Sequence, residues 1–255
     1  PSFSPDGNQV AFSWNGEKQD NFDIYVLMIG TGARLRLTQD PATDYSPAWS
    51  PDGRHMAFLR QLRQGGSGVF LVPPIGGPER KLAEIAGSFH PEIVPLSPRL
   101  AWSPDGQWLA AEDKSSLVVI STEGGEKREL TSPPPPRRDR HPSFSRDGRT
   151  LVFIRYAGYA GDLYAVQLTQ DLRPVGVPQR LAGDRRMPVA PGWTPRGDEI
   201  VFSWGYFGNS GLWRIAAAGP AEARPVAVPG VDVYHPALSR QGARLAYVQW
   251  HYDSD

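Results

Sequence analysis

Short apolar runs recur along the chain at a regular interval, each too brief for a helix and each bounded by polar turn residues. One set is Val10–Phe12, Met56–Phe58, Leu109–Ala111, Leu151–Phe153, Ile200–Phe202 and Leu245–Tyr247. A second set follows after a variable loop: Ile24–Leu27, Val69–Val72, Leu117–Ile120, Leu163–Val166 and Leu212–Ile215. Runs of this length, rich in β-branched and aromatic residues between Gly, Asp and Asn, predict β-strands. A third and more polar set, Arg34–Thr38, Glu79–Leu82, Lys127–Leu130 and Gln179–Leu181, predicts an outer edge strand, where charge discourages edge-to-edge pairing. Helices fit poorly, because 26 prolines and 27 glycines spread along the chain leave hardly any window for an uninterrupted one.

Ahead of each first run stands a recurring phrase. It reads Pro1–Gly7 as PSFSPDG, Pro47–Gly53 as PAWSPDG and Leu100–Gly106 as LAWSPDG. It returns as PSFSRDG at Pro142–Gly148, PGWTPRG at Pro191–Gly197 and PALSRQG at Pro236–Gly242. From glycine to glycine the steps are 46, 53, 42, 49 and 45 residues. Proline presets φ for the first turn position and Gly accepts the left-handed conformation, while the Ser50 hydroxyl can bond back to the turn. The phrase therefore predicts a first strand and a hairpin turn. With the three runs that follow, each unit holds four antiparallel strands in about 45 residues, the mark of a propeller blade. The expected architecture is an all-β, six-bladed β-propeller occupying residues 1–255 as one domain. Its blades lie at about 1–46, 47–99, 100–141, 142–190, 191–235 and 236–255. The sixth stops before its third strand, so two more strands are expected from residues before Pro1 or beyond Asp255. Phe3, Trp49, Trp102, Phe144 and Trp193 repeat in phase with the blades and are assigned to the core. The run Pro133–Pro136 ahead of Arg137 and Arg138 reads as a stiff inter-blade loop, with a polyproline ligand as the alternative.

This ladder of Pro-x-[Phe/Trp]-Ser-Pro-Asp-Gly, [Val/Leu/Ile]-Ala-Phe and Asp-[Ile/Leu]-Tyr resembles the WD-like repeat of the TolB-type β-propellers. The style of the blades, including Gly77–Leu82 and Gly211–Arg214, is most similar to propellers attached to bacterial winged-helix regulators or Ser/Thr kinases. The resemblance implies a binding or sensor module within a larger bacterial protein, covalently linked to a further domain, with a periplasmic or extracytoplasmic setting. It also implies two alternatives, the substrate-gating propeller of a prolyl-oligopeptidase-like hydrolase and a metal-dependent lyase acting in the channel. Arg196 and Gln241 replace the motif's Asp, and those two turns are expected to lose a side-chain bond.

Composition narrows the functions. The 27 basic and 27 acidic residues balance, which argues against a nucleic-acid partner through this domain. Absence of cysteine removes disulfides, thiolate metal sites and cysteine nucleophiles. No run approaches the length of a membrane span. No nucleophile elbow, P-loop, zinc-protease or dinucleotide signature is present, so the reading is non-enzymatic and without cofactor.

Candidate chemistry then follows from topology. With the first strand innermost, the residue before it should ring the mouth of the central channel: Ser46, Arg99, His141, Ala190 and His235, with Asp44, Asp139 and Asp232 nearby. Two histidines and carboxylates could take a divalent metal or an anionic ligand. The plainer reading is that each His-Pro bonds the backbone of a neighbouring blade, and no metal is assigned. The same face should carry the loops between second and third strands. These hold Trp14, Phe22, Arg63, Tyr156, Tyr159, Trp204, Tyr206, Phe207, Trp250 and Tyr252. Exposed aromatics with arginine suit protein or small-ligand binding, whereas buried ones would cover inter-blade grooves. The ligand-binding set expected on this face is His141, His235, Arg99, Trp204, Tyr206, Phe207, Tyr156 and Trp250, meeting a protein partner or a small ligand.

Overall fold

A computed structural model describes residues 1–19, 21–86, 100–183, 187–206, 208–218 and 221–249, and of Tyr206 only the backbone. Among these residues every element is a strand. They form five four-stranded antiparallel sheets, each in sequence order, and a sixth sheet of two strands. No helix among them is long and apolar enough to cross a membrane.

The innermost strands are Ser2–Phe3, Asp44–Trp49, Leu100–Trp102, Arg138–Phe144, Pro188–Trp193 and Val233–Leu238. Each touches the innermost strand of the next sheet, and that of sheet 6 touches that of sheet 1, so the six close into a ring. Side chains seal the last seam: Gln241 Nε2 donates to Pro5 O at 2.8 Å, and Arg244 donates to Gly7 O and to Asn8 Oδ1. Outermost strands are exposed, as their charge predicts; Arg34–Arg36 and Lys127–Glu129 are examples.

The turn phrase is built alike six times. The glycine amide donates to the Ser or Thr carbonyl three residues back, at 2.9–3.0 Å in every copy. In four copies the serine hydroxyl donates to the Asp two residues on, as Ser50 does to Asp52 at 2.6 Å, and accepts the amide five residues on. The expected loss in the fifth copy does not occur. Asp198, two positions past Arg196, accepts from Thr194 Oγ1 at 2.8 Å. In the sixth, Gln241 turns its amide to the adjacent blade instead.

Between neighbouring blades lie the apolar layers. Tyr45, Leu59 and Val69 of sheet 2 meet Leu100, Leu109 and Ile120 of sheet 3, while Phe153 and Val166 of sheet 4 meet Leu117 and Val119 of sheet 3. Burying each such side chain is worth about 1.5–3 kcal/mol. Trp49 and Phe144 are buried, and Phe3, Trp102 and Trp193 are half-buried. Two of these indoles also bridge blades: Trp102 Nε1 donates to Ala48 O at 2.9 Å, and Trp193 Nε1 to Ser143 O at 3.1 Å.

Candidate functional site at the channel mouth

The innermost strands do not begin at the motif proline. In sheets 2, 4, 5 and 6 they begin upstream and carry a register shift across it, between Tyr45 and Ala48, Arg140 and Ser143, Val189 and Gly192, and Tyr234 and Ala237. At each shift the residue before proline has a left-handed backbone, with φ of 57° at Ser46, 55° at His141, 53° at Ala190 and 52° at His235. Proline disfavours the right-handed helical region for its predecessor. A non-glycine residue held left-handed costs about 1–2 kcal/mol. Four such bulges in register are a built feature, and bulges of this kind re-aim side chains beside functional sites. Arg99, the equivalent in sheet 3, lies outside the described residues.

A bulged amide leaves the strand ladder and takes a partner from the preceding blade. The His141 amide donates to Glu112 Oε1 at 3.0 Å, and the His235 amide to Ser203 Oγ at 3.4 Å. The plainer reading of His-Pro was thus close: the histidine backbone bonds the neighbouring blade, through side chains rather than backbone. Both imidazoles are buried, at 5% and 1% exposure. Burial drives the His235 pKa well below the usual imidazole value, with the nearby His141 adding to it, so His235 is neutral at pH 7. His141 also lies edge-on to Tyr156, with ring centres 6.0 Å apart.

The carboxylates flanking these positions are already engaged. Asp44 is gripped by Arg60 through two bonds of 2.7 Å, and Asp139 by Arg155 through bonds of 2.7 and 2.8 Å. Asp232 accepts from Tyr234 Oη at 2.6 Å and from the Ser210 amide at 3.2 Å. Among the described residues no three His, Asp or Glu side chains come together in a way that could hold a metal ion.

The aromatic set divides. Tyr156 and Trp204 are 9% and 8% exposed and belong to the apolar layer shared by sheets 4, 5 and 6, the groove-covering place that the sequence left open beside exposure. Their rings do inter-blade work: Tyr156 Oη donates to Pro188 O at 2.8 Å. Trp204 nonetheless lines a cavity of about 410 Å³ together with Trp213, Asn209, Ser210, Gly230 and Val233. Trp14 is half-buried against Phe12, Tyr25 and the Arg34 guanidinium. Tyr159 is 83% exposed, and Arg63 is exposed. Tyr206 ends its strand opposite Asn209. Phe207, Trp250 and Tyr252 lie outside the described residues.

The sequence reading missed the two Asp–Arg pairs. A signal was there: Asp44 precedes Arg60 by 16 residues, and Asp139 precedes Arg155 by the same 16. It also missed a cavity of about 400 Å³ beside the second pair, lined by Arg137, Arg155, Tyr164, Arg180 and Asp162. Both cavities lie at the ends of second-to-third-strand hairpins, on the mouth side.

Five four-stranded blades and two strands of a sixth, ringed with their first strands innermost, define a β-propeller of the TolB type. The TolB β-propeller domain family matches residues 1–174, and the chain belongs to that family. It is 27% identical over 214 residues to an uncharacterized peptidase, YuxL, of Bacillus subtilis, covering 80% of this chain and 29% of that protein. Two solved structures share the fold. A TolB candidate from Agrobacterium tumefaciens superposes with a TM-score of 0.74 at 19% identity, over 98% of this chain and 90% of that one. TolB from Acinetobacter baumannii superposes with a TM-score of 0.72 at 13% identity, over 97% and 59%. The chain spans about a third to a half of the curated relatives it matches first.

Proposed function

We propose that this chain is the non-enzymatic binding or sensing propeller of a larger bacterial protein, presenting its channel-mouth face to a protein or small ligand. The observation that carries this reading is convergence on one face. The left-handed bulges with His141 and His235 lie there, and so does the cavity lined by Trp204 and Trp213. Its size suits a small ligand or a single anchoring side chain. Recognition of this kind needs a rigid frame with a few variable groups, and the bulges supply both.

Tryptophan emission tests the reading directly, because two indoles line the cavity. Titration with a panel of short peptides, free amino acids and mono- and disaccharides should give a saturable change with at least one member. Trp204→Phe should reduce that change, and His141→Gln should weaken the binding. A panel that leaves the emission untouched, or turnover of a peptide by this chain alone, would overturn the proposal.

A second reading is favoured by one observation, the match of 80% of this chain to less than a third of a relative named a peptidase. On that reading the propeller gates substrate access to a catalytic domain elsewhere in the same protein. Sequencing the gene beyond residue 255 separates the two: a Gly-x-Ser-x-Gly elbow with a following Asp and His favours the gate.

A further inference from the structure

Sheets 2 and 4 carry the same device with different contents. In each, a buried Asp on the innermost strand grips an Arg on the second strand. The guanidinium lies over two aromatic rings, Phe58 and Phe70 at 5.3 and 4.9 Å in sheet 2, and Phe153 and Tyr164 at 5.5 and 5.0 Å in sheet 4. In sheet 2 the arginine is saturated. Besides Asp44, Arg60 holds Glu79 through bonds of 2.6 and 3.0 Å, and Asp40 stands 3.4 Å away. In sheet 4, Arg155 has Asp139 as its one acidic partner among the described residues.

Its side chain is only 11% exposed, so water does not replace the missing carboxylate freely. The space beside it is the cavity of about 400 Å³ lined by Arg137 and Arg180, with Asp162 bonded to Arg180 at 3.0 Å. No side-chain partner of the Arg137 guanidinium is found among the described residues, and Arg137 is exposed at the cavity wall. The lining is basic as well, with Arg137, Arg155 and Arg180 against the single carboxylate of Asp162.

We propose that this cleft beside sheet 4 binds a small organic carboxylate. The ligand's carboxylate would take the guanidinium edge that Glu79 occupies in sheet 2, with Arg137 closing over it. The fork of Arg155 matches a planar carboxylate through two parallel bonds, which is the geometry seen on Arg60. The aromatic floor of Phe153 and Tyr164 fixes the plane of that fork, so little order is lost on binding. This cleft shares the mouth side with the Trp204 cavity but none of its lining residues, so its failure would leave the test of that cavity untouched.

Calorimetry with glutarate, citrate, inorganic phosphate and the neutral analogue glutaramide tests it. The expected result is saturable binding of glutarate or citrate and none of glutaramide. Arg137→Ala, an exposed change that leaves the fold intact, should weaken binding about tenfold or more, the usual loss for one bond to a charged group. Arg155→Lys keeps the charge but loses the fork, and should weaken binding further, with circular dichroism verifying its fold. Arg63→Ala, on a loop of sheet 2, should change nothing. The proposal is overturned if no carboxylate binds, if glutaramide binds equally, if phosphate binds more tightly than both carboxylates, or if Arg137→Ala binds as well as the native chain.

Discussion

The two faces of the disc are made by the same strands and are built on different terms. On the turn face six copies of one phrase give six copies of one geometry, and each copy touches its neighbour. Pro51 lies under Gly106, Pro104 under Gly148 and Pro195 under Gly242. On the mouth face the backbone also repeats, with four left-handed bulges, but the side chains they carry are Ser46, His141, Ala190 and His235. The arginine clefts follow the same rule, full in sheet 2 and open in sheet 4. Where side chain and backbone repeat together, the repeat holds the ring. Where the backbone alone repeats, the side chains differ from blade to blade.

That contrast can be broken most forcefully at Arg60. Arg60→Ala strands the buried carboxylate of Asp44 and leaves the half-buried Glu79 without its cation, and a loss of about 3–5 kcal/mol is expected in denaturant melts. A loss under about 1 kcal/mol would mean that the sheet 2 cleft is not a closed structural unit. Trp102→Ala comes next. It removes a half-buried indole and an inter-blade bond to Ala48, at a cost of about 3 kcal/mol. A variant as stable as the native chain would refute the in-phase alignment of blades.

Gly148→Ala probes the turn face itself. Its φ is 71°, and an added Cβ would stand 3.4 Å from Pro104, so about 1–2 kcal/mol should be lost. The smallest expected effect is on acid stability. Asp6, Asp52 and Asp147 have pKa values held below the ordinary carboxylate value, first by the serine hydroxyl of each turn and then by a backbone amide. Their contribution is complete above the unfolded value and is lost as pH falls through the folded one. Replacing all three with Asn should therefore flatten the acid limb of the stability curve below about pH 4 and leave the neutral limb's slope unchanged. A slope change near neutrality would show that these carboxylates do more than brace the turns.

Much of the fold was legible because its signals are local and recur. Pro-Asp-Gly names a turn by its own backbone preferences, and Val10–Phe12 or Leu151–Phe153 names a strand by its composition. The innermost strands were misplaced by a few residues, because a proline in a strand reads as a beginning. In fact the ladder continues upstream of it through a bulge. The site was less legible for a different reason. Burial of Tyr156 and Trp204 depends on where the next blade stands, which no run within one blade encodes. The same holds for Thr194, whose carboxylate partner is recovered from Asp198 rather than from the motif position. Of the device in sheet 4, the 16-residue interval was visible but the cavity beside it was not. A cavity is a relation among Arg137, Arg155 and Arg180, which sit on three separate segments.

The bulges also bear on how this ring could change its chemistry. A left-handed residue ahead of proline has its backbone direction set by the strand and not by its own side chain, and Ser, Ala and His all occupy the position at φ within 5° of one another. Histidine tolerates this conformation better than most residues. Exchange there alters what faces the channel mouth without redrawing the path of the chain. Ala190 lies in the blade between those of His141 and His235, so Ala190→His would bring imidazoles to three successive blades. The ring can thus exchange side chains at these positions while it keeps one backbone.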